Sequence, residues 1–261
     1  MQRILLVGDN RGIPELLARI DSGRVAALVV SSIRPAYHNE LKRLADAAGH
    51  PLLVQPQYND VEAYRQFVAD VASLNPDGLI CHSYAMLLRS DILQLVGNRA
   101  FNVHFSLLPR HRGPNPVQWA LIHGDDRAGV SVHLMGEGFD DGDVVAQQDL
   151  EIGEDDTWSS LLAKLHELSN RLLDVALPDI LEDRWAAVPQ DETLSVTNSR
   201  LPRESLPIRF DAMSDREIFN LIRAQVSPLA GAFVETSEGR VHIPEFVPLS
   251  QIAELRKTYE A

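Results

Sequence analysis

The sequence predicts an α/β protein, with a doubly wound, mostly parallel sheet followed by a small C-terminal α+β appendage. Short apolar runs alternate with helix-period segments up to Val103, and this alternation is typical of parallel strands joined by helices. The rhythm then changes to two strand patterns and one long helix. From Leu201 onward the chain shows one helix start and two short strand patterns, which predict a separate small unit.

The first part of the chain supplies strands and helices in turn. Val25–Val30 is continuously apolar, as expected for a parallel strand that is covered on both faces. Pro14 suits the first turn of a helix, and Asp60 suits an N-cap. We predict strands over Ile4–Val7, Val25–Val30, Leu52–Val54, Gly78–Ile80 and Ala100–Val103, and helices over Pro14–Ile20, Asn39–Ala48, Val61–Leu74 and Ser90–Val96.

The second part begins with strands over Val130–Leu134 and Val144–Leu150, joined by an acidic loop. A helix over Thr157–Ile180 carries an apolar stripe, which predicts a face turned toward the core. The stripe consists of Leu161, Leu165, Leu168, Leu172 and Val175. The appendage starts a helix with a capping box formed by Ser214 and Glu217, and strands over Ala232–Glu235 and Arg240–Ile243 follow. We therefore divide the chain into a main domain over 1–185, a linker over 186–200 and a small domain over 201–261.

Composition excludes several classes of protein. The 261 residues are 45% hydrophobic and 23% charged, as in a globular protein. The start MQRILLVGDN lacks the features of a signal peptide, and no apolar run is long enough for a membrane span, so we expect a cytoplasmic protein without a membrane partner. Cys81 is the only cysteine, which excludes an intrachain disulfide and a cysteine metal cluster. The net charge of −13, without a basic run, disfavours a nucleic-acid partner on electrostatic grounds.

The residues that indicate chemistry lie between Phe101 and Asp143. Asn102 and His104 are two positions apart in a predicted strand, so their side chains point to the same side. They lie where the strand leaves the sheet, which is where open α/β sheets bind ligands. An amide donor beside an imidazole can hold a developing oxyanion and move a proton. Taken alone, the pair is better explained by a strand end with one hydrogen-bonded histidine.

Asp140 lies in the acidic loop, and Gly142 permits close approach of the backbone there. A carboxylate beside His104 could orient the imidazole and accept a proton from an amine. A solvated acidic turn and a magnesium site are the alternatives for this loop. Because the spacing of the acidic residues does not match a calcium loop, we assign no metal.

Three short segments follow one another in this region: Asn102-Val103-His104, the Ser106–Pro109 loop and Asp140-Asp141-Gly142. The region NVHFSLLPRHRGPNPVQWALIHGD, with GVSVHLMGEGFDDGDVV after it, resembles the folate-dependent formyltransferase family. That family includes methionyl-tRNA formyltransferase, glycinamide ribonucleotide transformylase and the sugar-nucleotide N-formyltransferases. The segment IFNLIRAQVSPLAGAF resembles the start of the C-terminal domain of the tRNA and sugar enzymes. The resemblance implies a Rossmann-like catalytic domain over 1–185, with 10-formyltetrahydrofolate as the formyl donor.

The same resemblance implies a role for each residue of the motif. Asn102 donates a hydrogen bond to the formyl oxygen, His104 stabilises the oxyanion, and Asp140 assists deprotonation of the attacking amine. The pterin of the donor then lies against two segments of the chain. Their residues are Tyr84, Met86, Leu87 and Leu88 in the first segment, and Glu137, Gly138 and Phe139 in the second.

Two further segments are candidates for binding the acceptor. The turn with Gly8, Asn10 and Arg11 can bind phosphate through its backbone amides, or it is a simple strand–helix turn. Ser106, His111 and Arg112 follow the catalytic strand and line the acceptor site, or they are ordinary loop residues.

The acceptor itself is predicted from charge and from the C-terminal segment. Residues 201–261 carry seven Lys and Arg against nine Asp and Glu, a net charge of −2, which does not suit a polyanionic acceptor. RLPRESLPIRF resembles the sugar-nucleotide enzymes of surface-polysaccharide synthesis. We predict a nucleotide-linked amino sugar, with methionyl-tRNA, a siderophore hydroxyornithine amine and glycinamide ribonucleotide as alternatives. A non-catalytic folate- or nucleotide-binding module is the alternative from another class, and the small domain is a candidate homodimer interface.

Overall fold

A computed structural model describes residues 1–136, 138–202 and 205–259. The strands in these ranges are β1 (Ile4–Val7), β2 (Val25–Ser31), β3 (Leu52–Gln55), β4 (Gly78–His82), β5 (Ala100–His104), β6 (Arg127–Leu134), β7 (Val144–Glu151), β8 (Ala232–Thr236) and β9 (Gly239–Ile243). The α-helices are α1 (Gly12–Leu17), α2 (His38–Ala48), α3 (Val61–Ser73), α4 (Ser90–Val96), α5 (Pro116–His123), α6 (Trp158–Leu181), α7 (Asp215–Arg223) and α8 (Ile252–Tyr259). No helix in the described ranges is both long and apolar enough to span a membrane.

Seven strands form one sheet, in the order β3-β2-β1-β4-β5-β6-β7. β1 lies in parallel between β2 and β4, β3 extends the sheet beyond β2, and β5 extends it beyond β4. β6 runs antiparallel to β5. The predicted fold class is confirmed. The strand order reverses between β1 and β4, and ligands of doubly wound folds bind at the carboxyl ends of the strands beside such a reversal.

Burial explains the continuous apolar sequence of the central strands. All four residues of β1 and all five of β4 are buried, as in parallel strands that are covered on both faces. Cys81 lies within β4 in the hydrophobic core. Burial, together with the nearby charges of Asp140 and Asp9, raises the pKa of the Cys81 thiol, so it stays protonated.

The chain contacts divide into two compact units. The first comprises Met1–His104, Ser131–Gln147 and Ser169–Gln190, and the second comprises Phe105–Val130, Gln148–Leu168 and Asp191–Ala261. The second unit has its own core, in which residues of α7 and of the β8–β9 hairpin are buried together. The linear division at residues 185 and 201 stays a prediction.

Most predicted elements are present, with shifts of a few residues at their ends. The capping box of α7 is confirmed, because Ser214 and Glu217 bond to each other's backbone. The expectation for Val175 is wrong, because this side chain is 75% exposed. In the second half of α6, Leu173 and Leu177 are buried, and Val175 lies on the opposite, solvent-facing side of the helix.

Candidate active site

The carboxyl end of β5 presents Asn102 and His104 on one face of the sheet. Successive side chains of a strand point to opposite faces, so Phe101 and Val103 lie on the other face, where both are buried. Phe101 packs edge-on against Trp185, with 5.4 Å between the ring centroids. The apolar face thus anchors the strand that carries the two polar side chains.

The loop between β6 and β7 brings Asp140 to these side chains. Asn102 Nδ2 donates to Asp140 Oδ1 at 3.1 Å. His104 Nδ1 lies 3.5 Å from Asp140 Oδ2, which is an ion-pair distance but is long for a hydrogen bond. The three residues singled out in the sequence therefore form one cluster within the first unit. Its side chains are mostly buried, since His104 is 9% and Asp140 16% exposed.

Specific backbone contacts fix the loop that carries Asp140. Asp140 has a φ of +52°, in the left-handed region that aspartate tolerates better than most residues. A Cβ on Gly142 would lie 2.0 Å from the carbonyl oxygen of Leu134, so the close approach requires glycine there. Gln190 Nε2 donates to the carbonyl oxygens of Asp140 at 2.9 Å and of Gly142 at 2.7 Å. Sequence reasoning placed Gln190 in a linker and missed this role.

His133 is a second residue whose role at the site sequence reasoning missed. It lies directly opposite Asn102 in the β5–β6 pair and is 2% exposed. Its Nε2 is 3.1 Å from Asn102 Nδ2 and 3.3 Å from Asp140 Oδ1. Its Nδ1 is 2.7 Å from the carbonyl oxygen of Leu134, and because a carbonyl only accepts, Nδ1 carries the proton. In neutral His133, Nε2 therefore accepts from the Asn102 amide.

These contacts orient the Asn102 amide. The Asp140 carboxylate oxygen can only accept, so the amide nitrogen, and not the amide oxygen, must face it. The arrangement can hold a negatively polarised oxygen through the amide and an imidazole, and it offers a carboxylate as a proton acceptor.

The two segments predicted to hold a pterin belong to the same unit. Residues 84–88 follow β4, whose Cys81 is paired with Asn102, so this segment leaves the sheet at the edge where His104 lies. Leu87 is 41% exposed and Leu88 is buried. Phe139, beside Asp140 in the chain, is 63% exposed. Glu137 lies outside the described residues.

In the turn after β1, close packing against His82 requires residues without a side chain at positions 8 and 12. A Cβ on Gly8 would lie 2.4 Å from the carbonyl oxygen of His82, and one on Gly12 would lie 2.6 Å from the His82 ring. Asn10 Oδ1 accepts from the Gly12 amide at 3.4 Å, and Arg11 is exposed. The turn lies at the carboxyl end of β1, beside the reversal in strand order.

Ser106, His111 and Arg112 belong to the second unit, and each is buried there. Ser106 Oγ donates to the Arg110 carbonyl at 2.8 Å. His111 Nε2 pairs with Asp125 Oδ2 at 2.7 Å, and the Arg112 guanidinium donates to both carboxylate oxygens of Glu192 at 2.7 and 3.0 Å. Each residue thus has a structural partner, and its role in binding stays a prediction.

Within the described part of the chain, no group of three or more His, Cys, Asp or Glu side chains is arranged to hold a metal ion. Asp140 Oδ2 lies 3.5 Å from His104 Nδ1 and Asp140 Oδ1 lies 3.3 Å from His133 Nε2, while His133 Nδ1 donates to the Leu134 carbonyl.

The fold is similar to those of several solved structures. A sugar N-formyltransferase from a Shewanella species superposes with a TM-score of 0.78 at 20% identity, covering 95% of this chain and 98% of that one. An N-formyltransferase from Helicobacter canadensis, in complex with folinic acid and dTDP-3-aminofucose, gives 0.70 at 16% identity, covering 91% and 85%. Glycinamide ribonucleotide transformylase 1 from Symbiobacterium toebii gives 0.62 at 26% identity, covering 73% and 95%.

The sequence itself matches the family model described as formyl transferase over residues 3–177, which is well over half of the chain. The matched range contains all three residues of the polar cluster. We conclude that this chain belongs to the formyl transferase family.

Proposed function

We propose that this protein transfers the formyl group of 10-formyltetrahydrofolate to the primary amine of a nucleotide-linked amino sugar. The observation that carries the proposal is a polar cluster in a chain of the formyl transferase family: Asp140 lies 3.1 Å from the Asn102 amide and 3.5 Å from the His104 imidazole. A module that only binds folate or nucleotide has no need for a carboxylate that lies against both an amide and an imidazole.

Each side chain of the cluster has a distinct task in this reaction. The bound donor supplies the formyl carbon. Asn102 Nδ2 and the His104 imidazole donate to the formyl oxygen as it gains negative charge. Asp140, supported by the Asn102 amide, accepts the proton that the amine nitrogen loses as it bonds to the formyl carbon. The bond from that carbon to the donor nitrogen then breaks, and this nitrogen takes up a proton.

The segments around the cluster suit a flat, partly apolar donor. Leu87 and Phe139 expose large apolar side chains on segments that lead to or from the cluster. A folate ring that covers these side chains would remove apolar surface from water, which favours binding by roughly 25 cal/mol per Å². We assign Tyr84, Met86, Leu87 and Leu88, with Gly138 and Phe139, to the donor site.

The acceptor is inferred from the net charge of the chain and from the ligands of a protein with a similar fold. The net charge of −13 disfavours a polyanion such as tRNA, whereas a nucleotide sugar carries only its diphosphate. Exposed Arg11, and Gly8 and Asn10 of the same turn, are our candidates for that diphosphate. Ser106, His111 and Arg112 are candidates for the rest of the acceptor. The Helicobacter canadensis protein, with a similar fold, binds dTDP-3-aminofucose together with folinic acid.

The direct test is an assay with the purified protein, 10-formyltetrahydrofolate and a panel of UDP-, GDP- and dTDP-linked amino sugars. We expect one acceptor to gain the mass of a formyl group in place of a hydrogen, with tetrahydrofolate released in equal amount. Folate release without acceptor formylation would favour a hydrolase instead. Formylation of glycinamide ribonucleotide alone would identify that compound, and not an amino sugar, as the acceptor.

A further inference from the structure

Two fully buried polar side chains outside the catalytic cluster bond to the segment Tyr84–Leu88. Asp9 lies two residues after the end of β1, and Gln55 is the last residue of β3. Both side chains have no exposed surface. The carboxyl ends of three neighbouring parallel strands, β3, β2 and β1, are thereby connected to the segment that leaves β4.

Asp9 holds the start of the segment. Its Oδ2 accepts from the Ala85 backbone amide at 2.8 Å and from Ser31 Oγ at 2.8 Å, and its Oδ1 accepts from the Ser31 backbone amide at 2.7 Å. No Lys, Arg or His among the described residues forms an ion pair with this carboxylate. Burying an ionised group without a cation is costly, and these three donors offset part of that cost.

Gln55 holds both ends of the segment. Its Oε1 accepts from the Tyr84 hydroxyl at 2.8 Å, and its Nε2 donates to the Leu87 carbonyl at 3.1 Å. Tyr58, next to Gln55 in space, also donates its hydroxyl to the Leu87 carbonyl. Burial, with the charge of Asp9 adding to it, raises the pKa of Tyr84, so this hydroxyl remains a donor.

We propose that Asp9 and Gln55 are positioning residues for the folate donor, which fix the backbone of Tyr84–Leu88 in the conformation that binds it. The inference rests on the proposed function, because it assigns this segment to the donor. Neither residue takes part in the chemistry of formyl transfer. Their loss should therefore weaken donor binding and leave the chemical step nearly intact.

The hydrogen-bond pattern of Asp9 provides a sharp pair of variants. The two backbone amides bond to different carboxylate oxygens, so an asparagine amide can accept from only one of them and must turn its NH₂ group toward the other. Asp9→Asn therefore loses one of its two backbone anchors at nearly constant volume: either the bond to Ala85 in the segment, or the bond to Ser31 that holds the Asp9 side chain in place. Ser31→Ala removes only the hydroxyl bond and keeps both backbone anchors, which makes it the matched control.

Folinic acid binding, measured by calorimetry, and steady-state kinetics with 10-formyltetrahydrofolate test the inference. We expect Asp9→Asn to raise the Kd for folinic acid and the KM for the donor about tenfold, while kcat at saturating donor changes less than threefold. Ser31→Ala should stay within twofold of the original protein on all three measures. Gln55→Glu, which places a carboxylate oxygen against the Leu87 carbonyl, should raise the same Kd and KM.

Circular dichroism and thermal unfolding identify a variant that fails to fold. In that case Tyr84→Phe, which deletes only the hydroxyl bond to Gln55, takes its place with an expected rise in Kd of about threefold. Folded variants that bind folinic acid as tightly as the original protein overturn the inference, and so does a loss confined to kcat. If the unaltered protein binds no folinic acid at all, the proposed function itself fails.

Discussion

At the scale of single residues, the polar cluster is organised around the Asn102 amide. One of its hydrogens points to Asp140 and the other to His133, so each is engaged before any substrate arrives. A formyl oxygen that binds here has to share or replace one of these acceptors. Asp140 is also the group that receives a proton in the proposed reaction. If the formyl oxygen replaces Asp140 as the acceptor of the Asn102 hydrogen bond, binding of the donor frees this carboxylate to take the proton.

Removal of either strand residue should abolish most of the activity. We expect Asn102→Ala and His104→Ala each to lower kcat about a hundredfold or more, the usual cost of losing an oxyanion donor or an acid–base group. Neither side chain is a member of the hydrophobic core cluster that contains Leu79 and Cys81, so thermal stability should change little. Initial rates with saturating donor and acceptor measure the effect.

His50→Ala is a suitable control for the histidine variant. His50 lies at the surface, where its Nε2 contacts the Ser22 hydroxyl at 2.9 Å. The rate of this variant should equal that of the original protein. A folded His104→Ala protein that works at near-full rate would disprove the proposed role of His104.

At the scale of elements, a charged cluster fastens the segment after β5 to the end of α5. Asp125 bonds to His111 and to Arg110, each at 2.7 Å. Burial acts to raise the pKa of Asp125, but the hydrogen bond from His111 and the charges of His111 and Arg110 outweigh it, and the net effect lowers this pKa. Burial also lowers the pKa of His123, with His111 as a second cause.

The lowered pKa fixes the pH range over which Asp125 stabilises the fold. A carboxyl with a lower pKa in the folded state contributes stability above its unfolded pKa of about 3.9, and loses it as the pH falls through the folded-state value. We expect Asp125→Asn to lower the free energy of unfolding by about 1–3 kcal/mol at pH 7. Urea titrations should show this difference closing below about pH 4.

Asp126→Asn is the matched control, because Asp126 is the next carboxylate in the chain and is exposed. Its stability should follow that of the original protein at every pH. A deficit of Asp125→Asn that persists unchanged at pH 3 would contradict the electrostatic account.

The capping box of α7 gives a second prediction at this scale. Ser214 Oγ accepts from the Glu217 backbone amide at 3.3 Å, and the Glu217 carboxylate accepts from the Ser214 amide at 2.7 Å. Ser214→Ala should lower the free energy of unfolding by about 1 kcal/mol, whereas Ser214→Asp should retain most of it. Equal stability of the alanine and aspartate variants in urea titrations would rule out a contribution from the cap.

Sequence alone predicted those elements and site residues whose determinants are local. The continuous apolar runs identify the buried parallel strands, and alternation along one strand places Asn102 beside His104. His133 was missed because its place opposite Asn102 depends on the register between β5 and β6, which no local pattern encodes. Gln190 lies 50 residues after the Asp140 carbonyl that it binds, so its role follows only from the folded chain.

At the scale of the whole molecule, charge is the property that separates the candidate acceptors. The chain has 24 Lys and Arg against 37 Asp and Glu. Many of these cations are already paired; Arg19, Arg24, Arg99 and Arg127 each bond to a nearby carboxylate. A tRNA acceptor needs a set of phosphate contacts, each of which makes binding weaker as salt rises.

We therefore expect efficient formylation of an amino-sugar nucleotide and little formylation of methionyl-tRNA, even at low salt where tRNA binding is most favoured. Parallel assays at about 20 mM and 200 mM salt, with both acceptors at equal concentration, measure this preference. If methionyl-tRNA is formylated rapidly, at a rate that falls steeply with salt, and no amino-sugar nucleotide is formylated, the acceptor is tRNA and not a sugar nucleotide.

The single, buried cysteine also makes the protein its own reporter of unfolding. A thiol-specific reagent cannot reach Cys81 while β4 is intact, and the raised pKa of the thiol keeps it in its unreactive form. Labelling then requires the centre of the sheet to open. The rate of labelling, followed by absorbance, measures how often β4, the strand beside Asn102, becomes accessible. Slower labelling in the presence of folinic acid would show how strongly the ligand suppresses this opening.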